Sequence, residues 1–209
     1  MEDLNANFPL RKYQLEFSEV KVCLKWLANF HATFLSHKPT GLWEIGTYWN
    51  LETRPDEFEK IEHRELKSKA YLIDELLNQS KYQTIVHGDA KLANFCFSEN
   101  GDSVAAVDFQ YVGGGCGMKD VAYFLGSCLS SSECELYESE LLDFYFSALE
   151  KSFNSTKFNF DFKDIEKEWR YMYPIALTDF NRFLLGWMPS HQKVNGYHLD
   201  LMNSVLTNL

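Results

Sequence analysis

The side chains best suited to chemistry lie in one short segment, His87-Gly88-Asp89-Ala90-Lys91-Leu92-Ala93-Asn94, and at the later Asp108. Carboxylate and amide oxygens are hard ligands suited to Mg²⁺, so Asn94 and Asp108 are candidate metal ligands. Asp89 can accept a proton, and the ammonium of Lys91 could rest on a phosphoryl group as a point charge. These residue types indicate phosphoryl transfer, which needs positioning, charge neutralisation and one proton acceptor.

A predicted β-hairpin is the element that must position these residues. Two apolar β-type runs, 95–97 and 104–107, flank the dipeptide Asn100-Gly101. Asn-Gly between apolar runs is a strong hairpin signal. With these two residues as the turn, we expect Phe97 to face Val104 in an antiparallel pair.

The same register predicts which polar residues meet at the open end of the hairpin. Continued backwards, it sets Ala93 opposite Asp108, with Asn94 diagonally beside it. A slip of one residue would set Asn94 directly opposite Asp108, and the sequence leaves both registers open. Either register brings Asn94 and Asp108 close together, with Asp89 and Lys91 on the loop just before.

The spacing of these residues is that of kinases. Protein kinases place the catalytic Asp five residues before a metal-binding Asn, and a second metal-binding Asp ends a later strand. Asp89 and Asn94 have this gap, and Asp108 ends an apolar strand. However, 11 residues separate Asp108 from Asp120, which leaves no room for an activation loop. Gln110 also stands where protein kinases have Gly. The pattern favours a kinase of small molecules.

At these residues the sequence resembles the aminoglycoside phosphotransferase/choline kinase-like family, whose members are protein-kinase-like. The matching motifs are His87-Gly88-Asp89 through Asn94 and Val107-Asp108-Phe109-Gln110. The glycine cluster that follows, with Lys119-Asp120-Val121-Ala122, looks most like the bacterial ecdysteroid kinase-like branch. The resemblance is specific over residues 85–125 and vaguer over the helical remainder.

The resemblance implies an ATP- and Mg²⁺-dependent phosphotransferase, a small-molecule O-kinase that phosphorylates a hydroxyl. Asp89 would be the catalytic base, with Lys91 on the transferring group. Asn94 and Asp108 would hold Mg²⁺. No nucleic acid or membrane partner is expected.

The family also implies supporting and substrate residues. His87 would order the catalytic loop, and Asp120, either as a simple helix cap or as a brace of that loop, would be structural. The substrate pocket would be built from the last helices, where Asp179, Tyr173 and Trp187 are the candidates. Asp179 is preferred, since a carboxylate could bind an amine or hydroxyl.

The first residues resemble the hinge that joins the two lobes of this family. Glu2, Asp3 and Leu4 match its frequent Glu-Asp-Leu and would contact the nucleotide. We therefore expect residues 1–12 to be a hinge or linker from an N-terminal lobe, and residues 13–209 to be a kinase-like C-terminal lobe. Activity would be impaired without the other lobe.

Two alternatives remain open. The chain could be a non-catalytic kinase-like remnant that binds a ligand or partner. A metal-dependent hydrolase is disfavoured, since a second His/Asp cluster is lacking. We also expect either a separate N-terminal lobe as partner or self-association through an apolar face at Leu4 and Phe8.

Length and composition indicate a folded chain, long enough for one good core or about one and a half typical domains. The 209 residues are 45% apolar and 16% aromatic, which excludes disorder. The net charge of −10 argues against nucleic acid as main partner. A signal peptide and a membrane-spanning run are not recognisable, and the five cysteines form no CxxC pair, so we expect a cytoplasmic protein with reduced, mostly buried thiols.

The predicted fold class is α+β, mostly α, a helical body with a small β-hairpin that carries the catalytic and metal residues. His31, on the apolar face of the first helix, is expected to be a satisfied core histidine. The glycine cluster 113–117 is expected to form a tight turn. The predicted helices are Val20–Phe34 with Ser18 as N-cap, Pro55–Leu77, Glu133–Phe153, Asp161–Trp187 with a kink or break at Pro174, and one after Tyr197.

Overall fold

The computed structural model describes residues 3–153, 157–191 and 193–209, and these form a mostly helical α+β fold. The helices are α1 Phe17–Thr33, α2 Pro55–Glu59, α3 Arg64–Asn78, α4 Met118–Cys128, α5 Ser131–Ser152, α6 Phe162–Trp187 and α7 Gly196–Asn208. The strands are β1 Thr84–Val86, β2 Phe95–Phe97, β3 Val104–Ala106 and β4 Gly113–Gly115. Three 3₁₀ turns cover Leu4–Ala6, Leu51–Thr53 and Leu92–Asn94.

The helical body is organised around α6. Helices α2, α3, α4 and α7 pack on α6, and α1 packs on α5. In α1 the apolar residues recur at helical spacing, so that Val20, Leu24 and Leu27 share one buried face. Each such side chain contributes roughly 2 kcal/mol on full burial. Burial of these faces, rather than the four three-residue strands, holds the fold together.

The β-hairpin has the predicted register. β2 and β3 are antiparallel, with Phe97 opposite Val104 and Phe95 opposite Ala106. The ladder continues past β3, because the N–H of Val107 donates to the carbonyl oxygen of Asn94 (2.9 Å). This pairing places Asp108 at the open end of the hairpin, beside the turn that contains Asn94.

The segment predicted to be a hinge adds to the other edge of β2. Leu10 and Phe97 exchange two backbone hydrogen bonds, of 3.1 and 2.9 Å. The N-terminal segment therefore runs antiparallel to the hairpin. This contact fixes residue 10 next to the strand that follows Asn94.

The glycine cluster forms a strand where a turn was predicted. β4 pairs antiparallel with β1, and Gly113 lies opposite Val86. The turn prediction failed because glycine disfavours strands by propensity. Here a close approach decides instead: a Cβ on Gly113 would lie 2.3 Å from the carbonyl oxygen of Trp43. Glycine lets the backbone around Trp43 pack directly on β4.

Two helix predictions need correction, and a third is decided in part. The N-cap of α1 is Glu16, which forms a capping box with Glu19, and Ser18 lies inside the helix. The predicted helix from Pro55 to Leu77 is two helices, because α2 ends at Glu59 and α3 begins after His63, whose Nδ1 caps it. Pro174 does not break α6, which runs on to Trp187, and the kink there stays a prediction.

The contact between α6 and α2 offers a test of packing. A Cβ at Gly186 would lie 1.9 Å from the carbonyl oxygen of Glu57. We expect Gly186→Ala to lower the free energy of unfolding by about 1–3 kcal/mol, because backbone would have to move. Gly196→Ala is the matched control, since nothing lies within 4 Å of its Cβ position. Equal unfolding midpoints in urea for the two variants would contradict this account of the α2–α6 contact.

The cysteines form no disulfide, and most are buried, as predicted: Cys128 is half-buried and the other four are buried. Burial raises the pKa of the Cys116 thiol to about 12, as expected for an inert core thiol. Among the helices described here, none combines the length and the apolar character needed to cross a bilayer.

Candidate functional site

The loop after β1 is bent by a glycine. Gly88 has φ +79°, and a Cβ there would lie 2.2 Å from the carbonyl oxygen of Tyr111. A left-handed conformation and a close backbone approach both require glycine. The bend turns the chain out of β1 and sets Asp89 at the wall of a cleft.

Asp120, in the first turn of α4, holds this loop from below. Its buried carboxylate accepts hydrogen bonds from the N–H groups of His87 (2.6 Å) and Gly88 (3.0 Å). His31 Nε2 donates a third, at 3.1 Å. Burial raises the pKa of the Asp120 carboxyl, but the hydrogen bonds, chiefly the one from His31, outweigh this effect and hold that pKa below its ordinary value. The carboxylate is thus kept ionised.

His31 and His87 are fully committed to structure. The Nδ1 of His31 bonds to the hydroxyl of Tyr145 (2.8 Å), so His31 is a satisfied core histidine. The Nε2 of His87 donates to the carbonyl oxygen of Val107 (2.9 Å), and its Nδ1 accepts from the N–H of Asp89 (3.2 Å). Since both partners of His87 are backbone groups, they fix its tautomer. His87 therefore ties the loop to the end of the hairpin.

Asp89 is the centre of the site. Its side chain is 3% exposed and accepts three hydrogen bonds. Oδ2 takes them from Lys91 Nζ (2.8 Å) and Asn94 Nδ2 (3.0 Å), and Oδ1 takes one from the Tyr123 hydroxyl (3.2 Å). The carboxylate is therefore aimed in one direction before any ligand arrives. Sequence reasoning missed Tyr123, because an aromatic residue at helical spacing is usually core.

Asn94 is oriented by the same network. Its Nδ2 donates to the backbone oxygen of Asp89 (2.8 Å) as well as to that residue's carboxylate, which leaves Oδ1 outside these contacts. Asp108 is exposed and has φ +66°, a left-handed conformation that Asp tolerates better than most residues. An oriented amide oxygen and an exposed carboxylate at one end of a hairpin are chemically suited to Mg²⁺.

The donor set does not amount to a protein-only metal cage. Among the residues described, no three His, Cys, Asp or Glu side chains are grouped for metal binding. Mg²⁺ is commonly held by one or two carboxylates together with phosphate oxygens and water. A site made of Asn94 and Asp108 would therefore need a phosphate-bearing ligand to complete it.

The cleft beside Asp89 has a volume of about 390 Å³. Part of its lining is an aromatic cluster over the buried Trp49, which includes Tyr123 and Phe180. Trp187, a predicted substrate residue, is 50% exposed at its edge and stacks on Phe183. The full lining is Tyr48, Asp89, Lys91, Gln110, Tyr111, Tyr123, Phe180, Leu184, Trp187, His191 and Lys193.

The other two predicted substrate residues lie elsewhere. Asp179 is buried, pairs with Arg182 Nε (2.8 Å) and accepts from Trp49 Nε1 (3.0 Å). It thus anchors Trp49 beneath the cleft and does not line it. Tyr173 is buried between α6 and α5, where its hydroxyl donates to Glu138 (2.8 Å). Asp179 was the preferred candidate for direct contact with the substrate, and its buried position corrects that prediction.

The predicted nucleotide residues at the start of the chain are not among the lining residues of this cleft. Glu2 lies outside the described residues. Asp3 caps the 3₁₀ turn that begins at Leu4, by accepting a hydrogen bond from the N–H of Asn5 (3.0 Å). Of the segment that contains Asp3 and Leu4, Leu10 pairs with the hairpin edge.

Burial and charge shift several pKa values in the cleft. Burial raises the pKa of Tyr48 to about 12, and burial with the nearby Tyr48 and Asp89 raises that of Tyr123 further. Burial lowers the pKa of Lys193 to about 8, with Asp89 opposing and Lys91 reinforcing the change. Lys193 was missed in the sequence, where it is one lysine in a polar loop.

Comparison with known proteins places most of these residues in one family. No curated protein matches the chain. The model of the DUF1679 family, described as "Uncharacterized oxidoreductase dhs-27", matches residues 49–192. The matched segment is more than half of the 209 residues and contains Asp89, Asn94 and Asp108. The chain belongs to the DUF1679 family.

Proposed function

We propose that this chain is the catalytic C-terminal lobe of a protein-kinase-like small-molecule O-kinase that uses ATP and Mg²⁺. The observation that carries the proposal is a hydrogen-bond network around Asp89, whose carboxylate lies in the wall of a cleft. Lys91, Asn94 and Tyr123 orient that carboxylate. The paired hairpin adds Asp108 beside Asn94. Resemblance in sequence and this arrangement support the same function.

Asn94 and Asp108 would hold the metal. The amide oxygen of Asn94 is turned away from Asp89, and the carboxylate of Asp108 is exposed at the hairpin end. When bound there with ATP, Mg²⁺ would neutralise the charge of the phosphate oxygens.

Asp89 would accept the proton of the substrate hydroxyl. As the hydroxyl oxygen bonds to the γ-phosphorus, the bond from that phosphorus to the bridging oxygen breaks, and ADP leaves. Lys91 is 38% exposed and reaches from Asp89 towards solvent, so its ammonium could move onto a phosphoryl oxygen. Both groups are positioned in advance, which is what phosphoryl transfer mainly requires.

The domain proposal follows from the same lobe assignment. Residues 13–209 would be the C-terminal lobe, and residues 1–12, paired to β2 through Leu10, would be the hinge. An N-terminal lobe, in the same polypeptide or a separate one, would cover the nucleotide. Without it we expect weak nucleotide binding and little turnover.

The family description names an oxidoreductase, which is the second candidate. Dinucleotide folds place a glycine-rich turn between a parallel strand and a helix. In the part of the chain that the structure describes, both sheets are antiparallel pairs, and Gly113–Gly115 is itself a strand. The geometry therefore favours phosphoryl transfer. The third candidate is a non-catalytic binding module, which would differ from the proposed kinase only in having no turnover.

The metal assignment gives the test of this proposal. We expect ATP binding, measured by isothermal titration calorimetry, to depend on Mg²⁺ and to weaken about tenfold or more in Asp108→Ala, because a charged metal ligand is lost. Asp102→Ala is the matched control, since this carboxylate lies at the opposite end of the same hairpin and, within the described residues, accepts its hydrogen bonds from Ser98 and Ser103. Equal affinities in the two variants would sink the metal assignment, and binding of a nicotinamide dinucleotide instead would favour the family description.

A further inference from the structure

Positive charges outnumber negative charges among the side chains that line the cleft. Asp89 and Lys91 form an ion pair of 2.8 Å, so their charges offset each other. A second ammonium, that of Lys193, lies in the same wall, with His191 nearby. This is unexpected in a chain whose net charge is −10.

The backbone of Lys193 is fixed by hydrogen bonds to both its N–H and its carbonyl oxygen. Its N–H donates to His191 Nδ1 (3.1 Å), and its carbonyl oxygen accepts from His198 Nδ1 (2.8 Å). Its Nζ lies 4.5 Å from the ring centre of Tyr123 and 5.5 Å from that of Phe180. Among the residues described, no carboxylate lies within ion-pair distance of this ammonium. Two aromatic faces orient it without neutralising it.

This arrangement decides which charge a substrate can carry. The rings of Tyr123 and Phe180 would otherwise suit an organic cation, but the protein's own ammonium already lies on them. A cationic substrate would meet Lys193 and Lys91, whereas an anionic group would gain a charge-assisted hydrogen bond. The lowered pKa of Lys193, about 8, leaves it mostly protonated at neutral pH.

We propose that the acceptor substrate is a hydroxy compound with an apolar, ring-containing body and an anionic group, a carboxylate or a phosphate or sulfate ester, that ion-pairs with Lys193. The body would lie against Tyr48 and the exposed face of Trp187. That the ligand is a phosphoryl acceptor rests on the proposed function. The charge preference rests on the cleft alone.

Three matched probes test the preference: 4-(hydroxymethyl)benzoate, 4-(hydroxymethyl)benzamide and 4-(hydroxymethyl)benzylamine. They share one skeleton and are anionic, neutral and cationic. Binding to the full chain is measured by titration calorimetry without nucleotide or Mg²⁺. We expect the benzoate to bind about tenfold tighter than the benzylamine, as a hydrogen bond to a charged group allows. In Lys193→Met the two should bind within about twofold of each other.

Lys81→Met is the matched control. Lys81 also lies over an aromatic ring, 4.9 Å from the centre of Tyr82, but outside the cleft, so this variant should keep the preference. Lys193→Arg should keep it too. The proposal is overturned if the benzylamine binds as tightly as the benzoate, if Lys193→Met keeps the preference, or if no probe binds up to about 10 mM.

The two proposals fail separately. A chain that prefers the benzoate but shows no Mg²⁺-dependent ATP binding would have an anion-selective cleft without the proposed function. A chain that binds MgATP through Asp108 but prefers the benzylamine would keep the function and lose the inference about its substrate.

Discussion

Asp89→Asn should slow phosphoryl transfer by about a thousandfold while MgATP binding stays close to that of the unchanged chain. General-base catalysis contributes about 10²–10⁴-fold to such reactions, and an amide cannot take up the proton. The binding groups assigned to the metal, Asn94 and Asp108, are untouched by this change. The rate is measured with the protein in excess over labelled ATP and with water or a hydroxy compound as phosphoryl acceptor. The measurement is made on the chain alone and on the chain fused to an N-terminal kinase lobe.

The variant should fold, because the surroundings of Asp89 accept an amide. Its amide oxygen could keep the hydrogen bonds from Lys91 and Asn94, and its NH₂ would face the Tyr123 hydroxyl, which can accept as well as donate. Asp102→Asn, at the tip of the hairpin, is the control and should leave the rate unchanged. If Asp89→Asn kept a rate within about threefold of the unchanged chain, Asp89 would not be the base. No turnover even in the unchanged fusion would favour a binding module.

The hairpin shows what could be predicted from the sequence. The predicted turn at Asn100-Gly101 and the two apolar runs imply a register that the structure has, although the turn itself closes one residue earlier, where the N–H of Gly101 donates to the carbonyl oxygen of Ser98. Because pairing in a sheet is periodic, one turn determines which residues meet several positions away. The nearness of Asn94 and Asp108 therefore needed no knowledge of the helices.

The ends of helices were less predictable, since similar residues compete to cap them. Ser18 is a good N-cap by type, but Glu16 and Glu19 form a reciprocal pair of hydrogen bonds that begins α1 two residues earlier. Likewise, a charged stretch with good helix propensity is interrupted before His63, whose ring caps α3. Which residue caps a helix depends on side-chain hydrogen bonds that cannot be read from residue types alone.

The cleft depends on contacts between residues far apart in sequence, and here prediction was weakest. Asp179 was preferred because it is a carboxylate in an aromatic stretch, but its helix face turns it towards Trp49 and Arg182. Lys193 lies near Asp89 only because the loop after α6 returns over α4. No local pattern identifies either outcome. Long-range packing decides which polar residues of a helix reach a cleft.

Asp120→Ala should lower the free energy of unfolding by about 3–5 kcal/mol, because each buried hydrogen-bonding group left without a partner costs about 1–3 kcal/mol. The change leaves the N–H groups of His87 and Gly88 and the Nε2 of His31 without their acceptor in a buried position. It also removes a negative charge from the first turn of α4, where the helix dipole favours one. Urea unfolding at pH 7 measures the effect.

The pH dependence separates the role of the charge from general damage to packing. Because the pKa of Asp120 is lower in the folded chain than its unfolded value of about 3.9, its ionisation stabilises the fold above pH 4. That contribution is lost as the pH falls below 4 and through the folded pKa, so the difference between the unchanged chain and Asp120→Ala should shrink there. Asp164→Ala, which removes an exposed first-turn carboxylate from α6, should cost less than about 1 kcal/mol at any pH. A deficit in Asp120→Ala that stayed constant down to pH 2 would mean that packing alone, and not the ionised carboxylate, holds the loop of His87 and Gly88.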